Sequence, residues 1–191
     1  MPLACLDLPQ ILKERRLKTF VYVGTSLDGY LARKDGNIDW LAEFESKEVH
    51  KSYGEFIRKI DAIVIGRGTF ETVLSFPTWL YERKVYVLST TLKKVPTQLK
   101  GKVELLSMKP REVLKHLENK GYSTIYVDGG KVIQDFLKED CIDELIITRL
   151  PVLIGNGISL FGSLNNDLRF RHLQTTVLSN GLVKSRYQRK R

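Results

Sequence analysis

Short apolar runs alternate with helical patterns along most of this chain, and that alternation limits the architectures open to it. AIVIG (62–66) and LIITRL (145–150) are nearly continuous apolar strands, as expected in a sheet buried on both faces. Further strand-like runs, rich in β-branched and aromatic residues, lie at Thr19–Gly24, Lys84–Ser89, Val103–Leu106 and Thr124–Val127. Helical spacing fills the gaps. Ser46–Lys59 opens on a capping serine and places Val49, Tyr53, Phe56, Ile57 and Ile60 near one face. Gly68–Leu74, Pro110–Lys120 and Lys131–Glu139 predict three more helices, the second with proline near its start and Gly121 at its end. Strand, helix, strand in sequence predicts an α/β fold with a mostly parallel sheet. The ending differs: Phe170–Leu178, Asn180-Gly181 and Leu182–Gln188 predict an antiparallel hairpin, because Asn-Gly accepts the positive φ angles of a type I′ turn.

Other chemistry is bounded by composition. No apolar stretch is long enough to cross a bilayer as a helix. Residues 1–17 are expected to be an N-terminal extension, with a short helix after Pro9, and 18–191 the single folded domain. The first eighteen residues lack the order of a signal peptide, and Cys5 and Cys141 are too far apart for a C-x-x-C pair, so a reducing cytoplasmic setting is expected. His50, His116 and His172 have no metal-ligand spacing, and no metal site is expected. The net charge of +9 favours anionic partners, phosphorylated small molecules as well as nucleic acid, although part of the excess lies in the terminal SRYQRKR.

Two strand-to-helix junctions carry glycines. IGRGTFET (65–72) offers Gly66, Arg67, Gly68 and Thr69, and IYVDGGKVIQDFL (125–137) offers Gly129, Gly130, Lys131 and Val132. Free backbone N–H groups and the dipole at a helix start favour a phosphate, and glycine admits close approach, although each stretch alone could be an ordinary turn. Two such junctions beyond the carboxyl ends of parallel strands favour a dinucleotide, yet neither is the G-x-G-x-x-G of ordinary dehydrogenases. The long connection SLDGYLARKDGNIDW (26–40) contains Ser26, Asp28, Asp39 and Trp40. Asp39 could serve a substrate against an aromatic wall, or cap the turn over WLAEF with Trp40 in the core. PVLIGNGISLFG (151–162), with Gly155 and Gly157, is either a turn or a substrate-contacting loop.

The ordered set TFVYVGTSLDGYLA, IGRGTFET, VYVLSTT, IYVDGGKVIQDFL and ELIITRLPVLIGNGISLFG resembles the dihydrofolate reductase superfamily, especially the reductase domain of bacterial riboflavin-biosynthesis enzymes and its stand-alone relatives. The resemblance runs from Lys18 to the end of the hairpin. It implies a dihydrofolate reductase-like three-layer fold, an eight-stranded mostly parallel sheet with helices on both faces, NADPH as cofactor and a homodimer. It also implies site roles. Gly66, Arg67, Gly68 and Thr69 would meet cofactor phosphates, with Arg67 at the 2′-phosphate, and Ser89 and Thr90 would lie near the adenosine end. Gly129 and Gly130 would contact pyrophosphate through a cis peptide bond. The opening loop would be the mobile segment over the nicotinamide and substrate, with Asp39 catalytic and Ser26, Asp28, Trp40, Gly155 and Gly157 beside the substrate. The implied reaction is hydride transfer to a small pyrimidine, pteridine or 5-amino-6-(5-phosphoribosylamino)uracil. A nucleotide- or nucleic-acid-binding protein without catalysis is the alternative on the same fold.

Overall fold

A computed structural model describes residues 17–191; the expected extension and its helix lie outside the described residues, apart from Leu17. Ten strands and four α-helices follow in order: β1 (Lys18–Thr25), β2 (Tyr30–Ala32), α1 (Lys47–Ile57), β3 (Ala62–Gly66), α2 (Arg67–Leu74), β4 (Lys84–Leu88) and β5 (Val103–Leu106), then α3 (Pro110–Asn119), β6 (Thr124–Asp128), α4 (Gly130–Lys138), β7 (Glu144–Arg149), β8 (Ile158–Ser159), β9 (Phe170–Val177) and β10 (Val183–Arg189). Eight strands form one sheet in the order β5-β4-β3-β6-β1-β7-β10-β9. The six from β5 to β7 run parallel, and β10 pairs antiparallel with both β7 and β9.

Packing explains the three layers. In β3, Ala62 and Val64 join the core under α3 and α4, while Ile63 and Ile65 join the core under α1 and α2. The strand is apolar at every position because each of its faces meets a helix layer. Ser46 caps α1 by accepting from Val49 N at 3.3 Å. The expected type I′ turn is a correction: at Asn180-Gly181 only Gly181 has a positive φ, +80°, and its N–H donates to the Leu178 carbonyl at 3.0 Å, so the hairpin turns over Leu178–Gly181 and closes on a left-handed glycine.

One small element carries no signal in the sequence. β2 and β8 form a two-stranded antiparallel ribbon that joins the loop after β1 to the segment after β7. Three-residue and two-residue strands are too short to show a period of two.

Phe136 on α4 is fully buried between helix and sheet. Phe136→Ala is expected to cost about 3–5 kcal/mol of stability, measured by urea denaturation, and a loss under about 1 kcal/mol would contradict this packing.

Candidate active site

The direction of the crossovers decides where a ligand can sit. From β3 the chain passes through α2 to β4 on one side, and from β6 it passes through α4 to β7 on the other. β3 and β6 are neighbours, so the connections diverge there and leave a crevice beyond their carboxyl ends. A cleft of about 1660 Å³ occupies that place.

The ten residues assigned from the sequence to a cofactor all line this cleft: Gly66, Arg67, Gly68, Thr69, Ser89, Thr90, Gly129, Gly130, Lys131 and Val132. Their backbone explains the glycines. Gly129 has φ +94°, and a Cβ there would lie 2.2 Å from Thr69 Oγ1, so the start of α4 can approach α2 only with glycine. The expected cis bond between Gly129 and Gly130 is a correction: no cis peptide occurs among the described residues, and the positive φ of Gly129 makes the turn instead. Gly130 has a packing role, since a Cβ would meet Ile158 of β8 at 2.5 Å. Gly68 differs, because its Cβ direction is open. Arg67 lies 3.7 Å from Glu71, four residues along α2, and donates to Thr91 Oγ1 at 3.2 Å. Ser89 Oγ accepts from Leu92 N at 2.9 Å, folding the segment after β4 toward that arginine.

The residues assigned to catalysis and substrate behave differently. Asp39 is half-exposed, outside the cleft lining, and accepts from Arg33 Nε at 2.7 Å. That hydrogen bond, with Trp40 N–H adding to it, holds the Asp39 carboxyl below its ordinary value. Trp40 is buried against Leu150, Leu178 and Leu182, so it is a core residue. Ser26 is buried and donates to Asp28, whose carboxylate accepts from Ile154 N at 3.3 Å and Gly155 N at 2.8 Å. Gly157 packs against the Ala32 carbonyl. Ser26, Asp28, Gly155 and Gly157 therefore clamp two loops together beside the cleft, and none of the four lines it.

The clamp and the β2–β8 ribbon tie the opening loop down. Its tip, Gly36 at φ +88°, lies over α2, where an added Cβ would stand 3.3 Å from Thr72 Oγ1. Residues 34–38 thus roof the cleft.

Four carboxylates line the cleft, Asp35, Glu71, Asp128 and Asp135; Glu71 faces Arg67 and Asp135 faces Lys131, while Asp128, the last residue of β6, is the one that burial perturbs, and it carries no motif of its own in the sequence. Gly129 N–H donates to it at 2.8 Å and Tyr81 OH at 3.3 Å. Burial raises the Asp128 carboxyl above its ordinary value, and the hydrogen bonds from Gly129 and Tyr81 only partly offset that. Tyr22, Tyr53, Tyr81 and Tyr126 line the same end, and burial raises all four phenols. Tyr126 OH donates to the Tyr22 carbonyl at 2.9 Å, and the Tyr22 ring stacks on Phe56 with centroids 4.7 Å apart. The signal available in the sequence was alternation: Tyr126 and Asp128 share one face of β6, the face under α1 and α2. Among the described residues no group of three or more His, Cys, Asp or Glu could hold a metal ion, and no helix is long and apolar enough to cross a membrane.

Residues 18–184 match the model of the RibD C-terminal domain. The chain belongs to the RibD C-terminal domain family. It is 38% identical over 157 residues to the uncharacterized protein YwjB of Bacillus subtilis (strain 168), covering 81% of this chain and 88% of that one. A putative riboflavin biosynthesis protein from Shewanella sp. PV-4 superposes with a TM-score of 0.87 at 41% identity, covering 92% of this chain and all of that one. A dihydrofolate reductase from Enterococcus faecalis, solved with NADP(H), gives a TM-score of 0.66 at 18% identity over 93% and 98% of the two chains, a likeness of fold. These matches agree with the dihydrofolate reductase-like sheet and with a reductase-type enzyme.

The raised Asp128 carboxyl predicts a pH effect. The folded state holds this proton more tightly than the unfolded chain, so its contribution to stability is full below the unfolded value and is lost as pH rises through the folded one. Asp128→Asn should remove that decline. Urea midpoints of both proteins across mildly acidic to neutral pH should converge at the acid end and separate, with the variant higher, toward neutrality; parallel curves would contradict the assignment.

Proposed function

We propose that this RibD C-terminal domain protein is an NADPH-dependent reductase acting on a small acceptor with a polarised C=N bond: a pyrimidine, a pteridine, or 5-amino-6-(5-phosphoribosylamino)uracil reacting through the imine formed when its ribose ring opens. One observation carries the reading. The N-termini of α2 and α4 both open, through glycines, onto a single cleft at the point where the sheet's connections diverge. Two sets of free N–H groups suit a pyrophosphate, and the open side of Gly68 leaves room for it. The residues present therefore fit a dinucleotide. When bound, that cofactor would supply a hydride from its reduced nicotinamide ring.

The chain's own residues would do the rest. Gly66, Gly68, Thr69, Gly129, Gly130, Lys131 and Val132 would hold phosphates and backbone, and Arg67 with Ser89, Thr90 and Thr91 the 2′-phosphate. Asp128 would hold an N–H edge of the acceptor among the tyrosines, and the roof over residues 34–38 would exclude water. Asp39 would act as a positioning residue, fixing that roof through Arg33. We also propose a homodimer in the cytoplasm; the edge strand β9, with Leu173 and Val177 exposed, offers a surface for self-association.

Titration of NADPH and NADH into three proteins tests this. Loss of a charge-assisted hydrogen bond worth roughly 1.5–3 kcal/mol should weaken NADPH about tenfold or more in Arg67→Ala, with NADH affected less. An equal loss for both would leave Arg67 as the partner of Glu71 only. Gly68→Val should fold normally yet bind either cofactor poorly. Tight nucleic-acid binding at moderate salt, with NADPH neither bound nor consumed, would favour the non-catalytic alternative.

A further inference from the structure

Beside Asp128, a second polar feature reaches the tyrosine end of the cleft from behind. Lys184 on β10 donates from Nζ to Ser52 Oγ on α1 at 2.6 Å, and Ser52 Oγ lies 2.8 Å from Tyr22 OH on β1. Three elements thus converge on one hydroxyl.

Donor and acceptor counting fixes the direction of this chain. An ammonium can only donate, so Ser52 Oγ accepts from Lys184. Among the described residues, the hydroxyl proton of Ser52 has one recorded partner, the Tyr22 oxygen. The opposite assignment, Tyr22 donating to Ser52, would strand the serine proton in a half-buried place, at a cost. With Lys184 donating to Ser52 and Ser52 to Tyr22, every bond is made and the Tyr22 proton is left over. Tyr22 lines the cleft.

We propose that Lys184, Ser52 and Tyr22 form a proton relay whose outer member, the Tyr22 hydroxyl, protonates the acceptor as its neighbouring carbon is reduced. This rests on the reductase reading and goes beyond it by naming the proton source. The π bond of the acceptor's C=N group breaks; a C–H bond forms with the hydride given by the reduced nicotinamide dinucleotide, and an N–H bond forms with the Tyr22 proton. The Ser52 proton passes to the Tyr22 oxygen and a Lys184 proton to the Ser52 oxygen. Lys184 is left as a neutral amine, and because its side chain is only half-buried, solvent returns the proton. Tyr22 is the catalytic residue, and Ser52 and Lys184 are positioning residues that act through it.

The groups facing Tyr22 are of both signs. Glu55 of α1 opposes ionisation of the phenol, Tyr53 of α1 packs edge-on at 5.7 Å, and Tyr126 of β6 donates to the Tyr22 carbonyl. Glu48 of α1 is held below its ordinary value, first by Ser179 and also by Lys184. Lys184 is the cation of this group.

Two readouts test the relay. The first needs no acceptor: with 3-fluorotyrosine placed at position 22, its phenol is titrated by fluorine NMR in the full chain. Lys184→Met should raise that phenol, as removal of a nearby opposite charge does, and Ser52→Ala should shift it in the same direction. An unchanged titration in both overturns the relay. The second is turnover of NADPH with 5-amino-6-(5-phosphoribosylamino)uracil and with 7,8-dihydrofolate as acceptors. Loss of a general acid should lower kcat in Tyr22→Phe about a hundredfold or more. Lys184→Met should lower kcat about tenfold and raise the solvent deuterium isotope effect, while KM and NADPH affinity hold. A Tyr22→Phe enzyme as fast as wild type overturns the relay and leaves the reductase reading standing. A wild type that binds no NADPH overturns the reductase reading, and the proposed reaction step with it.

Discussion

The pairing of β3 with β6 is the constraint on which the site depends. Because the two strands are neighbours whose connections leave in opposite directions, α2 and α4 begin side by side on opposite faces of the sheet. That proximity is possible only where one backbone has no side chain in the way. Gly129, with a positive φ and Thr69 Oγ1 in the place a Cβ would take, meets the requirement. The six parallel strands, apolar on both faces at the centre, hold this junction rigid. The proposed phosphate site is thus a consequence of topology, and glycine is what lets the topology close.

The cleft has two chemically distinct ends. Toward β3 and β4 it is lined by glycine, serine and threonine with Arg67, groups that suit charged oxygens. Toward β1 and α1 it is lined by tyrosines around one raised carboxyl, groups that suit a flat ring bearing N–H donors. The loop over residues 34–38 spans the top, held by Arg33 to Asp39, by Asp28 to the segment after β7, and by the β2–β8 ribbon. Residues that the sequence suggested for chemistry therefore mostly hold the frame around it.

The regular elements were legible because each carries its own local signal. AIVIG reads as a buried strand, Ser46 as a cap and Asn180-Gly181 as a hairpin turn, and each is found within a residue or two of its expected place. Eight of the ten cofactor-site candidates that line the cleft were legible for a related reason: they sit at two strand-to-helix junctions whose glycines report a backbone requirement, whereas Ser89 and Thr90 rested on the family resemblance alone. The loop was not. Asp39 and Trp40 stand next to each other in a segment without periodicity, and only the fold shows that one faces Arg33 and solvent while the other enters the core beside Leu150. Asp128 was hidden in plain view as the strand residue before a glycine pair. The Lys184–Ser52–Tyr22 chain has no sequence signature at all, since Lys184 and Ser52 are 132 residues apart and meet only when β10 lies along β7.

A crystal structure of the protein with NADP+ tests the central claim most directly. The pyrophosphate should lie between the N-termini of α2 and α4, within hydrogen-bond reach of backbone N–H groups at Gly68 and Gly130, with the nicotinamide ring toward Asp128 and Tyr22. A dinucleotide seated elsewhere, or turned so that its adenine enters the tyrosine end, would contradict the account.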